Sequence, residues 1–419
     1  MLSYIKRKFI SVWAHSVPRE VRHNFQVDIL ATILTGIGLG FFTPYYAMLA
    51  RDEFVANGFL LGLLTSGGYT GSMIALFSGG FVKSGREKYW YAWSNILARL
   101  LIVVAAASQA GMTYCGTVFL MNLMISTFSP QYSLLIQKIY PIEYRGRLMG
   151  CVRIAGALST IAGSGISGLF MKRPDFWRVS FVIAGLMTAG AAALFLRMKT
   201  EDSAAAQAAP NMLKHLKGAF MTLKSSPRNL RLILVMPFYS FSTQILNIVT
   251  PIMQVDVLHV TKANMSVVAI VQFVMWTLGF YVWGRYIDRA SASRAFVLHI
   301  FAALLWPLLY FVADSWIYVI LAQGAYGFII SCNEIGFFNV KLEISEKGKE
   351  AEYQAIHAFA GGLRCLVGVF VAVFLLNMAE KHGVHIKYLF AVSAGLLTVS
   401  GLALFPLAWG KNRIEKRAE

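Results

Sequence analysis

The chain has 419 residues, of which 57% are hydrophobic and 14% are charged, and its formal net charge is +18 at pH 7. Soluble domains average about 45–50% apolar and about 25% charged residues, so this composition excludes an ordinary soluble protein. On a soluble chain such a charge would indicate a nucleic-acid partner. Here the basic residues cluster at the ends of apolar runs, which favours the anionic lipids of a membrane surface and excludes nucleic acid.

Twelve apolar segments are each long enough to cross a hydrocarbon core of about 30 Å as a helix. Their predicted bounds are 26–50, 58–82, 90–110, 113–137, 147–171, 177–197, 231–256, 264–287, 294–313, 315–340, 351–379 and 385–409. An even number of spans places both termini on one side of the membrane. Most of the 38 Lys and Arg residues then fall in the loops of that side, which predicts that it is the cytoplasm. We expect a multi-pass protein of a bacterial-type cytoplasmic (inner) membrane, without nucleic acid and as a monomer.

The polar stretches divide the chain into five parts. Residues 1–25 are predicted to form a cytoplasmic amphipathic segment, and residues 198–230 a cytoplasmic linker that ends in a basic surface helix. These flank an N-terminal bundle of six helices at 26–197. A C-terminal bundle of six follows at 231–409, and residues 410–419 form a basic cytoplasmic tail.

The two halves carry related motifs. The charged hairpin Gly284–Arg289 joins spans 8 and 9, and a weaker copy, Ser78–Arg86, joins spans 2 and 3 about half the chain earlier. We expect Gly284 to allow close helix approach. Three residue pairs recur at nearly the same interval: Pro44 with Pro251, Asn57 with Asn264, and Gly156 with Gly362. The sequence therefore predicts a duplicated all-α integral membrane protein with two pseudo-symmetric six-helix bundles.

These residues resemble the major facilitator superfamily, whose signature G-x-x-x-D-R-x-G-R-[KR] follows its second and eighth helices. Gly284, Asp288 and Arg289 match the second copy; in the first copy Lys83, Gly85 and Arg86 fit, and Val82 stands where the family carries Asp. The loop after span 4 is similar to the family's P-x-x-x-R-G-R-x-x-G turn, at Pro141, Arg145, Gly146, Arg147 and Gly150.

The resemblance implies two bundles that rock about a central cavity lined by helices 1, 4, 7 and 10, with charged hairpins that latch the cytoplasmic side. Asp28 and Arg153 lie at shallow depth on that side, where a salt bridge would close the inner gate; anchoring at the interface is the alternative. The expected gate residues are Asp28, Arg153, Lys83, Arg86, Arg145, Arg147, Asp288 and Arg289. Helix 5 lacks the Gly-Pro motif of the family's antiporters.

Placing an ionisable residue inside a membrane costs free energy, so such a residue usually has a polar partner or faces a water-filled path. Glu334 and His357 lie at similar depths, about 10 Å from the cytoplasmic ends of spans 10 and 11, so the two side chains could meet in a proton relay or form a static polar pair. Arg364 lies about 10 Å deeper than His357 and could hold an anionic group of a substrate or pair with Glu334. Asn333 joins this predicted substrate or coupling set.

Aromatic and amide side chains on the expected lining helices suit an organic ligand, although ordinary helix packing is an alternative for each of them. The predicted cavity-lining residues are Tyr45, Tyr46, Asn122, Gln131, Tyr239, Gln244 and Asn247. The string Gly163–Gly168 in span 5 fits G-x-G-x-x-G, but it lies inside an apolar span and indicates helix packing rather than a dinucleotide site. We expect no metal and no other cofactor, because His382 and His385 have no ligand cluster beside them and no Walker motif occurs.

The sequence favours a secondary active transporter of a small organic solute, with an anionic or zwitterionic solute preferred and proton coupling as one mode. The alternatives are an efflux transporter of drugs and other amphiphiles, a non-transporting membrane receptor and a membrane-embedded enzyme. An enzyme would need nucleophile–base or metal residues that converge at one depth, and the sequence has none.

Overall fold

The computed structural model describes residues 21–81, 86–200, 227–345 and 350–409. Regular structure in these ranges is entirely helical. The helices are α1 Arg22–Asp52, α2 Gly58–Phe81, α3 Glu87–Ala106, α4 Gly111–Ile139, α5 Ile142–Phe170, α6 Phe176–Arg197, α7 Pro227–Val257, α8 Lys262–Arg289, α9 Ala292–Phe311, α10 Trp316–Ile344, α11 Glu350–Lys381 and α12 Lys387–Trp409. Within the described residues, eleven of these helices have the length and mean hydropathy of a membrane span. The twelfth, α2, is also long enough to cross a membrane, with 24 residues. The predicted set of twelve helices is confirmed.

Three helices change direction where proline disturbs the backbone ladder. A turn over residues 43–45 interrupts α1 at Pro44, because proline lacks an N–H and its ring clashes with the preceding turn. α9 breaks between Ala302 and Leu305, just before Pro307, and α7 ends beyond Pro251 in a wider turn over Met253–Val257. These breaks let single spans bend inside the bundle.

The helices pack as two related bundles. In the first, α1 packs against α5 and α6, α3 against α4 and α6, and α2 against α4. In the second, α7 packs against α11 and α12, α9 against α10 and α12, and α8 against α10. Each pair recurs six helices later. The two bundles meet through α2 with α11 and through α8 with α5, which a pseudo-twofold axis exchanges.

The connections α1–α2 and α7–α8 show the same symmetry in their hydrogen bonds. Ala56 N donates to Ala50 O at 2.9 Å, and Val260 N donates to Gln254 O at 2.8 Å, which closes the same type of helix end. Val55 and His259 precede these donors at φ 49° and 46°. Asn57 and Thr261 then cap the next helices through their side chains. Asn57 therefore corresponds to Thr261, and the sequence pairing of Asn57 with Asn264 was wrong.

The hydrophobic cores reveal which end of the molecule is closed. We call the face at which α1 begins and α12 ends the terminus face, and the face with the α1–α2 and α7–α8 connections the far face. Near the far face, one continuous core includes Leu49 and Leu61 from the first bundle and Val249 and Val369 from the second. Near the terminus face the core separates into one cluster around Ile136 in the first bundle and another around Phe296 in the second. The bundles are thus fused at the far face.

Small residues allow the closest helix contacts. A Cβ on Gly163 of α5 would lie 2.3 Å from Ile37 O of α1, and one on Gly168 would lie 2.3 Å from Ser266 Oγ of α8. The Gly163–Gly168 string therefore packs against both bundles, which confirms its interpretation as a helix-packing motif. A Cβ on Gly284 would meet no atom within 4 Å, so the expectation that this glycine allows close helix approach was wrong.

Several sequence predictions lie outside the described residues. They are Lys83, residues 1–20 of the amphipathic segment, residues 201–226 of the linker and the tail at 410–419.

Candidate functional site

Ion pairs between the bundles close the far face. Arg51, near the end of α1, donates from Nε to both carboxylate oxygens of Asp256 in α7, at 3.1 and 2.9 Å. Lys262, at the start of α8, pairs with Asp52 at 3.0 Å and also with Glu53. These side chains are partly exposed, so they stabilise a closed arrangement that modest changes can open.

Behind these ion pairs lies a buried hydroxyl cluster that crosses from one bundle to the other. Tyr45 is fully buried, and its hydroxyl lies 2.8 Å from Ser167 Oγ of α5 and 2.5 Å from Ser266 Oγ of α8. Tyr45 was predicted to line the cavity. The structure instead seals it between α5 and α8, where the break at Pro44 directs its ring.

A polar cluster joins α2 to α7 between the bundles. Gln244 Nε2 donates to the Tyr69 hydroxyl at 3.0 Å, Asn247 Nδ2 lies 3.5 Å from the same oxygen, and Asn247 lies 3.4 Å from Gln244 Oε1. We call Tyr69, Gln244 and Asn247 the amide cluster. Gln244 and Asn247 were among the predicted lining residues, and the structure brings them together. The sequence analysis missed Tyr69.

Tyrosines extend the amide cluster towards α1 and α10. Tyr326 of α10 lies near enough to Tyr69, Tyr46 and Glu334 for electrostatic interaction, and its ring packs on Trp306 at 4.3 Å between centroids. Tyr46 is half-buried and stacks on Phe42. Tyrosine rings and amides at the meeting point of the bundles can bind the hydroxyl, amide or aromatic groups of an organic solute.

Tyr239 lies within electrostatic range of Tyr326, Cys365 and Arg364. It is buried inside the second bundle, and its hydroxyl lies 3.3 Å from Nε2 of His299 in α9. His299 stacks on Phe296. Tyr239 was predicted to line the cavity, but it faces α9 because its position on α7 is on the side away from the first bundle.

Glu334 and His357 do not meet. Glu334 accepts a hydrogen bond from Nε1 of Trp276 in α8 at 3.2 Å and lies within electrostatic range of Arg153 in α5. His357 is 1% exposed, and its Nε2 lies 2.7 Å from Asn229 Oδ1 of α7. The predicted pairing was therefore wrong: equal depth does not give equal direction, because each residue advances about 100° around a helix. Asn333, beside Glu334, is half-buried.

Arg364 lies on α11 against α7 and α10. Its Nε donates to Ser240 Oγ of α7 at 2.7 Å, and its guanidinium lies 5.6 Å from the ring centroid of Phe337 in α10. Among the described residues no ion pair joins Arg364 to Glu334. The alternative pairing of these two groups across the cavity was therefore wrong.

Asp28 forms a buried hydrogen-bonded site within the first bundle. Its carboxylate accepts from the Tyr140 hydroxyl at 2.9 Å and lies 3.5 Å from that of Tyr132. Arg153 is exposed and within electrostatic range, but no ion pair joins the two in the part of the chain that the structure describes. The predicted Asp28–Arg153 salt bridge is thus absent from this arrangement. The carboxylate is instead contacted by the hydroxyls of Tyr132 in α4 and of Tyr140 at the C-terminal end of α4.

The remaining gate candidates that the structure describes lie on the terminus face. Arg145 donates to the carbonyls of Tyr140 and Gln137 and so caps α4, while Arg147 lies over the Tyr144 ring. Arg86, Asp288 and Arg289 are exposed.

Two predicted lining residues of α4 differ in burial. Asn122 is half-buried. Gln131 is 1% exposed, and its Oε1 has no hydrogen-bond partner among the described residues. Gln131 is therefore buried in this arrangement, as Gln244 of the amide cluster also is. In the described ranges no three His, Cys, Asp or Glu side chains are grouped to hold a metal ion.

Sequence reasoning missed several residues that hold the predicted ones in place. They are Tyr69, Trp276, Tyr326, Phe337, Lys341, Tyr132 and Tyr140. Most are aromatic residues, which ordinary helix packing in an apolar span also explains. Tyr140 had one usable signal, since it directly precedes Pro141 at the end of an apolar span.

Comparison with models of known protein families gives a match over most of the chain. The model of the Major Facilitator Superfamily matches residues 29–363. A sequence search of curated proteins finds no match.

Solved structures with the same fold are numerous. A single-residue variant of the nucleoside transporter NupG is 16% identical with a TM-score of 0.73, covering 91% of this chain and 99% of that chain. The D-xylose-proton symporter is 14% identical with a TM-score of 0.66 over 92% and 97%. A bacterial homologue of the human lysosomal transporter Spinster, in an inward-facing and occupied conformation, is 14% identical with a TM-score of 0.63 over 95% and 99%. Identities this low establish a shared fold alone.

Proposed function

Because this chain belongs to the major facilitator superfamily and is a multi-pass membrane transporter of small-molecule solutes, not an enzyme, we propose that it works as a secondary active transporter by alternating access. The solute is a small organic molecule that binds between the bundles at the amide cluster. The observation that carries this proposal is the link from Tyr69 of α2 to Gln244 of α7, a polar contact between the two bundles that lies apart from the ion pairs of the far face.

The closed far face and the separated cores at the terminus face support a state open at the terminus face. In this state solute reaches the amide cluster from that side, while the Arg51–Asp256 pair and the Tyr45 hydroxyl cluster block the other. Closing the terminus face would bring Arg86, Arg145 and Arg147 of the first bundle towards Asp288 and Arg289 of the second, so these five are gate residues in the opposite state. Arg153 would then approach Asp28.

Glu334 is our candidate for proton coupling. It lies on α10 beside the tyrosines of the site, and its one described hydrogen-bond donor is the neutral indole of Trp276. A carboxyl held by a neutral donor can lose and gain a proton without breaking an ion pair. One of the structural neighbours is a sugar–proton symporter, which supports symport as the mode.

We favour an anionic or zwitterionic solute because basic side chains lie next to the amide cluster. The alternative is export of drugs and other amphiphiles, which the aromatic surface of Tyr46, Trp276 and Tyr326 favours. Excess basic residues at the terminus face further support an inner-membrane location with both termini cytoplasmic and anionic lipids at that face. The described helices of one chain form both bundles, so we propose a monomer.

The test has two stages. A thermal-shift screen of the purified protein against sugars, nucleosides, carboxylates, amino acids and amphiphilic cations identifies the solute. Uptake into proteoliposomes with and without a pH gradient then measures transport. We expect accumulation driven by the gradient, and we expect Glu334→Gln to retain solute exchange at equilibrium while losing accumulation. Full accumulation by Glu334→Gln would exclude its coupling role; a protein that moves no solute that it binds would exclude transport.

A further inference from the structure

Three basic side chains line the second bundle between the terminus face and the amide cluster. Lys341 lies near the terminus-face end of α10, and His357 and Arg364 lie at successively greater depth on α11. All three surround one aromatic ring, Phe337: the Lys341 ammonium lies 4.7 Å, the Arg364 guanidinium 5.6 Å and the His357 ring 5.9 Å from its centroid. We call Lys341, His357, Arg364 and Phe337 the basic ladder.

The ladder is short of negative charge. Arg364 makes its one described hydrogen bond from Nε to a neutral hydroxyl, Ser240 Oγ, at 2.7 Å. Its Nη1 is buried and has no hydrogen-bond partner within the described residues. No ion pair in those residues involves Arg364 or Lys341, and the two cations instead lie within electrostatic range of each other. A half-buried guanidinium whose buried N–H edge is unused is costly unless an anion completes it.

The ladder leads directly into the solute site. Cys365, next to Arg364, contacts the side chains of both Ser240 and Gln244, and Gln244 donates to Tyr69. A group bound on Arg364 would therefore lie beside the amide cluster. Lys341 is half-buried at the end of the ladder nearest the terminus face. It would meet an anion that enters from that side.

From this geometry we propose that the basic ladder is an oxyanion site, which holds a carboxylate or phosphate group of the transported solute on Arg364 while the amide cluster binds the rest of the molecule. Arg364 suits this role because its planar fork matches the two oxygens of such a group. Lys341 raises the local anion concentration at the entrance. This inference rests on the proposed transport function and adds the substrate class and its anchoring residue.

The test uses two probes of known identity, inorganic phosphate and benzoate, with benzamide as the neutral match of benzoate. Binding to the purified full-length protein is measured by thermal shift and by calorimetry at constant ionic strength, with chloride as the balancing anion. We expect at least one oxyanion to stabilise the wild-type protein and benzamide to have less effect. Phosphate alone would indicate a phosphorylated solute, and benzoate alone a carboxylated one. Failure of both probes to bind overturns the proposal.

Three variants locate the binding. Arg364→Gln should weaken the oxyanion at least about tenfold, because it removes a charge-assisted contact, and Arg364→Lys should recover part of the loss. Lys341→Gln should weaken it less. The control is Arg285→Gln, which removes an exposed arginine that lies over Tyr281 at the end of α8 and should leave binding unchanged. Because Lys341 is not fully buried, its variant gives a result even if Arg364→Gln fails to fold.

The two proposals fail in different ways. If the oxyanion binds equally to wild type, Arg364→Gln and Lys341→Gln, the ladder is not the site, whether or not transport occurs. If the solute found by screening is neutral and moves through Arg364→Gln at the wild-type rate, transport stands and the oxyanion site falls. If oxyanion binding depends on Arg364 but no bound solute is moved, the oxyanion site stands and the transport function falls.

Discussion

Arg51 and Asp256 hold the ends of α1 and α7 together at the far face, with two hydrogen bonds from Arg51 Nε at 3.1 and 2.9 Å and a further contact from its Nη2. The two helices are pseudo-symmetric partners, but the contact is not symmetric, since one bundle supplies the cation and the other the anion. A latch of this kind can be weakened from either side.

We predict that Asp256→Asn shifts the protein towards a state open at the far face. A partly exposed ion pair contributes about 0.2–1 kcal/mol, so the population should change by a small factor, up to about fivefold. The measurement is the distance between spin labels at Asp175 and His382, placed in a variant without the four native cysteines. These positions lie in exposed far-face loops of different bundles.

The matched control for this prediction is Lys138→Gln. It breaks an ion pair of 2.9 Å between Lys138 and Glu87, which lies within the first bundle. The label distance should then stay as in the wild type. An equal change in both variants would mean that loss of any ion pair loosens the protein, and the latch would lose its special role.

We predict that Tyr69→Phe weakens solute binding without unfolding the protein. The change removes the hydroxyl that accepts from Gln244 and lies near Asn247, at the meeting point of the bundles. Loss of one neutral hydrogen bond costs about 0.5–1.5 kcal/mol, so the Kd of the solute should rise about two- to tenfold. Calorimetry with the solute identified by screening gives the value, and Tyr281→Phe on an exposed face of α8 serves as the control. An unchanged Kd would place the solute elsewhere.

We predict that the carboxylate of Asp28 is stabilised by tyrosine and not by arginine in this state. Tyr140→Phe removes the 2.9 Å bond to a fully buried acid, and hydrogen bonds to charged groups contribute about 1.5–3 kcal/mol. The unfolding temperature should fall by several degrees. Arg153→Gln should change it by less than Tyr140→Phe, because no described ion pair joins it to Asp28.

Combining Asp28→Asn with each change provides a check on this assignment. The Asp28–Tyr140 pair should be non-additive and the Asp28–Arg153 pair additive. The reverse pattern would restore the salt bridge that the sequence suggested.

The architecture followed from the sequence because length and hydropathy decide membrane spans almost independently of packing. The amides Gln244 and Asn247 stand out in the sequence, since amides in an apolar span need polar partners, and their role in solute binding stays a prediction. The partners of Glu334 and His357 were not predictable. Depth along a helix can be counted from the sequence, but the direction of a side chain depends on how the helix is rotated in its bundle. The predictions for Tyr45 and Tyr239 were wrong for the same reason. A tyrosine gives the same sequence signal whether it faces a cavity or a neighbouring helix.

Val55 offers a test of strain in the far-face connection. Its φ of 49° lies in the left-handed region, which a β-branched residue rarely adopts and which costs roughly 1–2 kcal/mol for residues with a Cβ. Its pseudo-symmetric counterpart His259 has nearly the same φ, 46°, but histidine tolerates this region better. Val55 is 71% exposed, so a substitution there removes little packing.

We therefore predict that Val55→Asn raises the unfolding temperature by a few degrees, because asparagine adopts this conformation more readily. His259→Asn should have a smaller effect, which makes it the matched control. The loop also carries Ala56, whose carbonyl accepts from Arg51 Nη1 at 3.0 Å, so relief of strain should strengthen the latch. The label distance between Asp175 and His382 should then become more uniform at its closed value. A lower unfolding temperature for Val55→Asn would show that the valine side chain, rather than its backbone strain, determines the stability of this connection.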